Sequence, residues 1–456
     1  MKINIEAFYI LIVTLAFLTI WKSSTYTSTQ KEGRASTDVV LRSLLNHVSN
    51  ETKNHSKRSI GTNPTTKPHF ILHIGPPKTA TTYIQCNLQK LSEVLADDDS
   101  YFFVGKNCPG SSSSMKNNET SIPGHFLMMG LNDANTHNRG YEALKARMDY
   151  HRLKGSNIIY SNEAFANHLI DQNSTWNCLR SMLSGWNVRV VIGYRHYFDW
   201  IRSFYYQTNK QHSKLEKKWP NQDNGRRHPS FISFLEYHLQ RKESGDLSID
   251  GGLKNNAFGH HLSISSYKKY SSHFDDIKFL NLHKDEDIIT DFVCRILPDA
   301  KKTCHRLRFE KDIEEVAHSV AKRASQSFDA HRISEAAFDR GLISKVSPKE
   351  VVVKMVNDRL KEVGVKALSA FLNCPSPSLV LRFLNISIDY ELEVLELMKG
   401  KLSKSEKDAA KTVHLSMYRK DEAANRFCDL DPELLLNNRT WAEHLSTIGR
   451  SIEGRE

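Results

Sequence analysis

The amino-acid sequence predicts an α/β fold with a doubly wound, mainly parallel sheet flanked by helices, followed by a helical C-terminal region. Between His69 and about Phe309, short apolar runs alternate with amphipathic stretches, and strands that alternate with helices are typical of a parallel sheet. After Phe309 the pattern is mostly helical, with Pro375 and Pro377 as interruptions. The chain has 456 residues, of which 39% are hydrophobic and 25% charged, which allows one large domain or two ordinary ones.

The chain begins with an apolar segment. Ala7–Trp21 carries no charge, and with Ile3 and Ile5 it approaches the length of a membrane span, about 20 residues. A cleaved signal peptide and a buried helix are the alternatives, but Ser23–Gln30 contains no A-x-A-like cleavage site. We therefore expect residues 1–4 in the cytosol, a signal anchor at 5–21 and a stem at 22–66.

Other features indicate that the rest of the chain is exported. The seven cysteines include no C-x-x-C pair, which argues against a zinc ribbon or a redox motif. Cys294 and Cys304 flank a short segment and could form a disulfide in an oxidising lumen, or they could be two buried thiols. The net charge of +11 favours anionic partners. Six N-x-[ST] triplets begin at Asn50, Asn54, Asn118, Asn173, Asn385 and Asn438.

Four apolar runs are predicted to be buried strands, namely 69–74, 157–160, 188–194 and 278–282. Two other segments have the composition of surface insertions. One is 107–118, and the other is 210–228, with a dense run of bases: Lys214, Lys217, Lys218, Arg226 and Arg227. That run could hold an acidic glycan, or it could simply be solvated.

The stretch HIGPPKTATTYIQ, residues 73–85, has the composition of a phosphate-binding loop. A strand that enters a turn and then a helix exposes backbone N–H groups, and these bind anions together with the helix dipole. Gly75 permits the turn, Lys78 supplies charge, and hydroxyl donors come from Thr79, Thr81 and Thr82. The pattern G-x-x-x-x-G-K-[ST] is absent, so the hydroxyl that binds magnesium in ATPases is not in its expected place. The motif therefore favours an anionic ligand that needs no metal.

The segment PPKTATT resembles the 5′-phosphosulfate-binding loop of sulfotransferases, P-K-[ST]-G-T-[TS]. These enzymes transfer a sulfonate from 3′-phosphoadenosine-5′-phosphosulfate (PAPS) to a hydroxyl or an amine. Ala80 stands where the family usually has glycine. The alanine is tolerable if the backbone φ is negative at this position, as it is in the first turn of a helix.

A second motif strengthens the resemblance. In VVIGYRHYFDWIRSFYYQ, Arg195 ends a predicted strand and Ser203 follows eight residues later, as in the family's site for the 3′-phosphate. Further along, 229–239 and 258–286 resemble two segments of Golgi-type carbohydrate sulfotransferases, although the Tyr and Trp of the latter pattern are missing. The spacing of Cys294 and Cys304 resembles a disulfide of heparan-type enzymes.

The resemblance covers about 69–305 and implies a P-loop NTPase-like sulfotransferase domain at 67–309, with a helical subdomain at 310–456 packed on it. It implies PAPS as co-substrate with no metal requirement, and a single-pass type II Golgi membrane protein whose catalytic domain is lumenal. It also implies a catalytic role for Lys78 at the leaving phosphate. The implied cofactor-binding residues are Lys78, Thr79, Ala80, Thr81, Thr82, Arg195 and Ser203.

The acceptor hydroxyl needs a general base. Glu163 is the first candidate because it follows a buried strand, where doubly wound folds bind their ligands, although a residue there could also only complement a helix dipole. His125 is the second candidate, and His260 and His261 come after it.

We expect a carbohydrate acceptor, membrane association through the N-terminal helix and no binding of nucleic acid. A protein tyrosine remains open as the acceptor. The alternatives in function are a P-loop kinase and a catalytically inactive, sulfotransferase-like protein that binds glycans.

Overall fold

The computed structural model describes residues 67–76, 79–105, 139–166, 173–208, 230–243, 263–283, 287–310, 330–343, 369–423 and 426–453, together with 313, 352, 354–356, 358 and 359. Several predictions lie outside these residues: the anchor, the stem, both surface insertions, Lys78, His125, His260 and His261. Among the residues that the structure describes, no helix is both long and apolar enough to cross a membrane. The chain divides into two units, the first formed by Met1–Pro68, Ser111–Asn157 and Gln172–Asn187 and the second by His69–Gly110, Ile158–Asp171 and Val188–Glu456.

A five-stranded, all-parallel sheet forms the centre of the second unit, in the order β2-β3-β1-β4-β5. The strands are β1 (His69–Ile74), β2 (Tyr101–Gly105), β3 (Asn157–Ser161), β4 (Asn187–Tyr194) and β5 (Ile277–Asn281). The prediction of a parallel sheet is confirmed, and the four predicted strands lie within one residue of their expected bounds. β2 was not predicted.

Helices flank this sheet, consistent with a doubly wound fold. The helices that the structure describes in the two units are, in chain order, α1 (Thr81–Lys90), α2 (Ser92–Asp99), α3 (Arg139–Leu153), α4 (Asn173–Met182), α5 (Tyr197–Thr208), α6 (Phe231–Glu243), α7 (Ser263–Ser271), α8 (Ile288–Asp291), α9 (Lys301–Phe309), α10 (Ala330–Asp339), α11 (Pro377–Lys399), α12 (Lys404–Ala423), α13 (Pro432–Asn437) and α14 (Arg439–Glu453). α8 continues into a π-helical turn, Phe292–Ile296.

Apolar side chains of the strands pack against these helices. Ile71 of β1 and Val191 of β4 share one buried cluster with Ile84 and Leu88 of α1 and with the π-helical turn. Registers are continuous, with Phe70 opposite Ile158 through His73 opposite Ser161 and Val190 opposite Ile277 through Tyr194 opposite Asn281. The carboxyl ends of the parallel strands therefore share one edge, where such sheets bind their ligands.

Aromatic residues join α5 to other helices of the second unit. Trp200 stacks on Phe204, and both side chains are buried, so Trp200 is a core residue. Tyr205 is fully buried and contacts the rings of Phe231 and Phe234 of α6.

The C-terminal helices pack on this part of the molecule. α11 begins with Ser376 as its N-cap, whose hydroxyl accepts from the Leu379 N–H at 3.3 Å, and it packs on α5, α7 and α12. Cys294 and Cys304 form a disulfide, which is one of the two possibilities that the sequence left open. Another disulfide, which was not predicted, joins Cys374 to Cys428 beside a short antiparallel pair, β6 (Leu372–Asn373) and β7 (Asp429–Leu430).

The first unit contains α3 and α4. Arg152 of α3 forms an ion pair with Asp149, and its side chain lies under Gly185, where an added Cβ would be 3.2 Å from Arg152 Cδ. Gly185 also has a φ of 90°, so this turn requires glycine for two reasons.

Candidate functional site

The loop between β1 and α1 is a tight turn. The backbone N–H and the hydroxyl of Thr79 both donate to the Pro76 carbonyl, at 3.2 and 2.6 Å. A Cβ at Gly75 would lie 2.3 Å from Thr81 Oγ1, so no larger residue fits without moving Thr81. Gly75 is therefore required by the close approach of the following helix.

The backbone of this loop has an unusual conformation at one residue, Ala80.

 The φ of Ala80 is 57° and its ψ is 20°, so the negative φ under which alanine would be tolerated here without strain is not observed. Ala80 precedes the helix as its N-cap and lies in the left-handed region, where a non-glycine residue costs about 1–2 kcal/mol. The glycine of the resembling motif thus corresponds to a position that requires a positive φ here.

The three threonines of the loop have different environments. Thr79 and Thr81 are each 1% exposed, whereas Thr82 is exposed. The Thr79 hydroxyl is used within the loop, while Thr81 Oγ1 has no hydrogen-bond partner among the described residues. No side chain caps the start of α1, and its first turn contains no acidic residue. This helix N-terminus therefore has the electrostatic character of an anion site.

The loop contacts the neighbouring strand directly. An added Cβ at Gly193 of β4 would lie 2.6 Å from Thr79 Oγ1 and 2.9 Å from Thr79 Cβ. Ser263 of α7 supports the same residue, since its hydroxyl donates to the Gly193 carbonyl at 2.7 Å. Arg195 follows Gly193 by two residues. The two sequence motifs are therefore brought together at one edge of the sheet.

Arg195 forms an ion pair that sequence reasoning missed. Its Nε donates to Asp199 Oδ2 at 2.6 Å, and both side chains are about one-fifth exposed. Ser203, which is partly buried, lies one turn beyond Asp199 on α5, and residues four apart share a helix face. The i,i+4 spacing of an arginine and an aspartate was the available signal.

Glu163 lies at the same edge of the sheet. β3 ends at Ser161, and Glu163 opens a 3-10 turn, Glu163–Ala166. The backbone N–H of Asn162 donates to the His73 carbonyl at 3.1 Å, so the end of β3 is held against the end of β1. Glu163 is partly buried, and its position suits a general base as well as an acid that complements a helical turn.

A buried, hydrogen-bonded group of His73, Ser161 and Gln85 lies next to the loop. His73 Nδ1 lies 2.7 Å from Ser161 Oγ, and Gln85 of α1 donates from Nε2 to the carbonyl and the hydroxyl of Ser161 at 3.2 Å. Burial lowers the pKa of His73 to about 4, so this histidine is neutral at physiological pH. These contacts tie β1, β3 and α1 together, and no sequence pattern indicated them.

A second polar group lies where β4 and β5 end. Glu391 of α11 accepts from the Tyr194 hydroxyl, and its Oε2 is 2.9 Å from His196 Nδ1. The backbone N–H of His196 donates to His283 Nε2 at 2.9 Å. Burial would raise the pKa of Glu391, but hydrogen bonds from His196 and Tyr194 hold it below its usual range. Burial lowers the pKa of His283 to about 2.

A small cavity of about 20 Å³ lies beside Arg195, large enough for about one water molecule. It connects the end of β4 with the C-terminal helix α11. Its lining comprises Tyr194, Arg195, Tyr197, Trp200, Ser263, Ile264, Tyr390 and Val394.

Comparison with known proteins does not assign the chain to a family. No protein-family model, no curated protein and no solved structure matches it. The functional argument therefore depends on the residues of the chain and on their arrangement.

Proposed function

We propose that the chain is a PAPS-dependent sulfotransferase with a P-loop NTPase-like fold, which transfers a sulfonate to a hydroxyl or amine of a carbohydrate. The observation that carries this proposal is the contact between Thr79 and Gly193. Through it, the loop that resembles a phosphosulfate site lies beside the strand that ends at Arg195. PAPS carries anionic groups at two ends of one nucleotide, and two adjacent anion sites suit such a ligand.

The phosphosulfate end is assigned to the start of α1. The uncapped helix N-terminus supplies backbone N–H donors, and the buried hydroxyl of Thr81 supplies another donor to an oxygen of the ligand. Lys78 would neutralise the phosphate. The 3′-phosphate is assigned to Arg195 and Ser203, since a guanidinium forms charge-assisted hydrogen bonds with phosphate oxygens.

The reaction is an in-line displacement at sulfur. An oxygen of the acceptor forms the new bond to sulfur, and the bond between sulfur and the bridging oxygen of the phosphate breaks. The electron pair of that bond stays on the phosphate oxygen, where Lys78 stabilises the charge. The proton of the acceptor hydroxyl passes to the carboxylate of Glu163, which later releases it to water.

The disulfides and the sequons support a location in the Golgi lumen. Cys294–Cys304 and Cys374–Cys428 are bonds of the type that persists in oxidising compartments. Asn385 and Asn438, which each begin a sequon, are exposed. The anchor at 5–21 would hold the enzyme in the membrane.

Binding of 3′,5′-diphosphoadenosine (PAP), the desulfonated product, tests the proposal. Calorimetry on the purified full chain without magnesium should show tight binding that is lost in Lys78→Ala and in Ser203→Ala. Lys90→Ala is the matched control, because Lys90 is an exposed lysine at the opposite end of α1. It should bind PAP like the wild type.

Turnover distinguishes the alternatives. With radiolabelled PAPS and a panel of glycans, Glu163→Gln should lower turnover by about 10²–10⁴-fold and leave PAP affinity unchanged, and His125→Gln should match the wild type. PAP binding without turnover on any acceptor would favour the inactive glycan-binding protein. Magnesium-dependent binding of ATP, with no binding of PAP, would refute the sulfotransferase and favour the kinase.

A further inference from the structure

Three buried side chains converge where β4 meets the C-terminal helices. His196 follows β4, Glu391 lies on α11 and His414 lies on α12, and the residues are 4%, 7% and 1% exposed. One potential ligand atom from each lies within 4.8 Å of the other two. We propose that this group, the His196–Glu391–His414 cluster, binds a zinc ion.

The spacing of the ligand atoms matches a metal coordination shell. Glu391 Oε2 is 2.9 Å from His196 Nδ1 and 3.6 Å from His414 Nδ1. Zinc binds nitrogen and oxygen at about 2.0–2.1 Å, so neighbouring ligands of a tetrahedral ion are about 3.3 Å apart. The two observed distances lie on either side of that value.

The environment of His414 points to a ligand on its second ring nitrogen. His414 Nε2 lies 2.9 Å from Ser387 Oγ, whereas His414 Nδ1 has no hydrogen-bond partner among the described residues and lies beside the carboxylate of Glu391. A histidine that binds a metal with one nitrogen commonly bonds a polar group with the other. A purely hydrogen-bonded cluster would leave His414 Nδ1 unsatisfied, which is costly for a buried polar atom.

The ligand types select the metal. Two imidazoles and one carboxylate form a common zinc-binding set, and the fourth position of a tetrahedral ion is left for water. The hydroxyl of Tyr194 contacts the same carboxylate and would orient it. The ion would join α11 and α12 to the end of β4 next to Arg195, and it takes no part in the proposed transfer reaction.

Metal content and spectroscopy test this inference on the wild-type full chain, so that no result depends on a variant that fails to fold. We expect about one zinc per chain by mass spectrometry and a lower melting temperature after chelation, restored by zinc. Cobalt in place of zinc should give the visible bands of a tetrahedral ion without thiolate-to-metal charge transfer. The cysteines would then be excluded as ligands.

Substitutions of the proposed ligands and of their neighbour Ser387 test which residues bind the zinc ion. Glu391→Gln and His414→Gln should each weaken zinc binding by more than about 100-fold, and Ser387→Ala by about 10–100-fold. His444→Gln, at a partly buried histidine of α14, should bind zinc like the wild type. Absence of zinc together with a melting temperature unaffected by zinc, or zinc binding retained in Glu391→Gln and His414→Gln, would overturn the inference. PAP binding is measured separately, so failure here leaves the sulfotransferase proposal to its own test.

Discussion

Replacing Ala80 by glycine should stabilise the protein, although glycine normally destabilises a helical region. A non-glycine residue in the left-handed region costs about 1–2 kcal/mol, and Ala80 occupies that region with a φ of 57°. Glycine removes this cost but increases the entropy of the unfolded chain, which costs about 0.4–1 kcal/mol. The difference predicts a gain of about 0.5–1 kcal/mol in the free energy of unfolding of Ala80→Gly.

Two further variants calibrate the measurement. Ser100→Gly, at the end of α2, replaces another residue with a φ of 57°, and it should give a gain of the same size. Ala96→Gly lies inside α2 and should lose about 1 kcal/mol. The assay is urea unfolding of the full chain, with a shifted midpoint and an unchanged m-value. If Ala80→Gly and Ala96→Gly destabilise the protein equally, the loop does not have the backbone described here.

Three other measurements test the region around the loop. Gly193→Ala should lower the free energy of unfolding by about 1–3 kcal/mol because the added methyl group overpacks the contact with Thr79. Adding Thr79→Ala to the same chain should recover at least about 1 kcal/mol of this loss. If the effects of the two substitutions simply add, the two residues are not in contact. The imidazole of His73 stays neutral in the folded protein until the pH approaches its pKa of about 4, whereas in the unfolded chain it takes up a proton below about pH 6.5. The stability that the neutral His73 contributes is therefore complete above pH 6.5, and about 3 kcal/mol of it is lost as the pH falls to 4. Between pH 4 and 6.5, the free energy of unfolding of His73→Asn should therefore change less steeply with pH than that of the wild type, by the uptake of about one proton. Equal slopes for the two proteins would contradict this. Asp199→Asn should raise the affinity for PAP about fivefold, since the carboxylate beside Arg195 opposes a phosphate; weaker binding would mean that Asp199 instead positions Arg195.

The sheet was predictable because most of its strands are short, apolar and buried on both faces. β1 and β4 read as continuous apolar runs, which is the pattern of strands covered by helices on both sides. β2 was missed although YFFVG is rich in aromatic residues, because it directly follows the acidic end of α2. The pattern of α2 and the pattern of β2 adjoin at Ser100, so the sequence did not separate the end of the helix from the start of the strand.

The candidate site was predictable only where a local motif encodes it. The loop at Gly75 and the strand end at Arg195 each have a recognisable sequence, but neither motif contains the φ of Ala80 or the ion pair with Asp199. The positive φ of Ala80 is a property of the folded turn, which composition does not reveal. Local patterns therefore indicate the position of the candidate site but not its backbone geometry.

The C-terminal helices contain no recognisable motif, yet they contribute side chains at the end of β4. Tyr390 and Val394 line the cavity beside Arg195, and Glu391 between them contacts Tyr194 and His196. The hydrogen bond between His196 and Glu391 joins residues 195 positions apart, so no periodicity or spacing rule could have paired them. Because one turn of α11 contacts both the residue before Arg195 and the residue after it, a displacement of α11 would change the position of that guanidinium. The C-terminal region thus contacts both chain neighbours of Arg195. If the chain binds PAP as proposed, Glu391→Gln should lower PAP affinity in calorimetry even though Glu391 is not expected to touch the ligand.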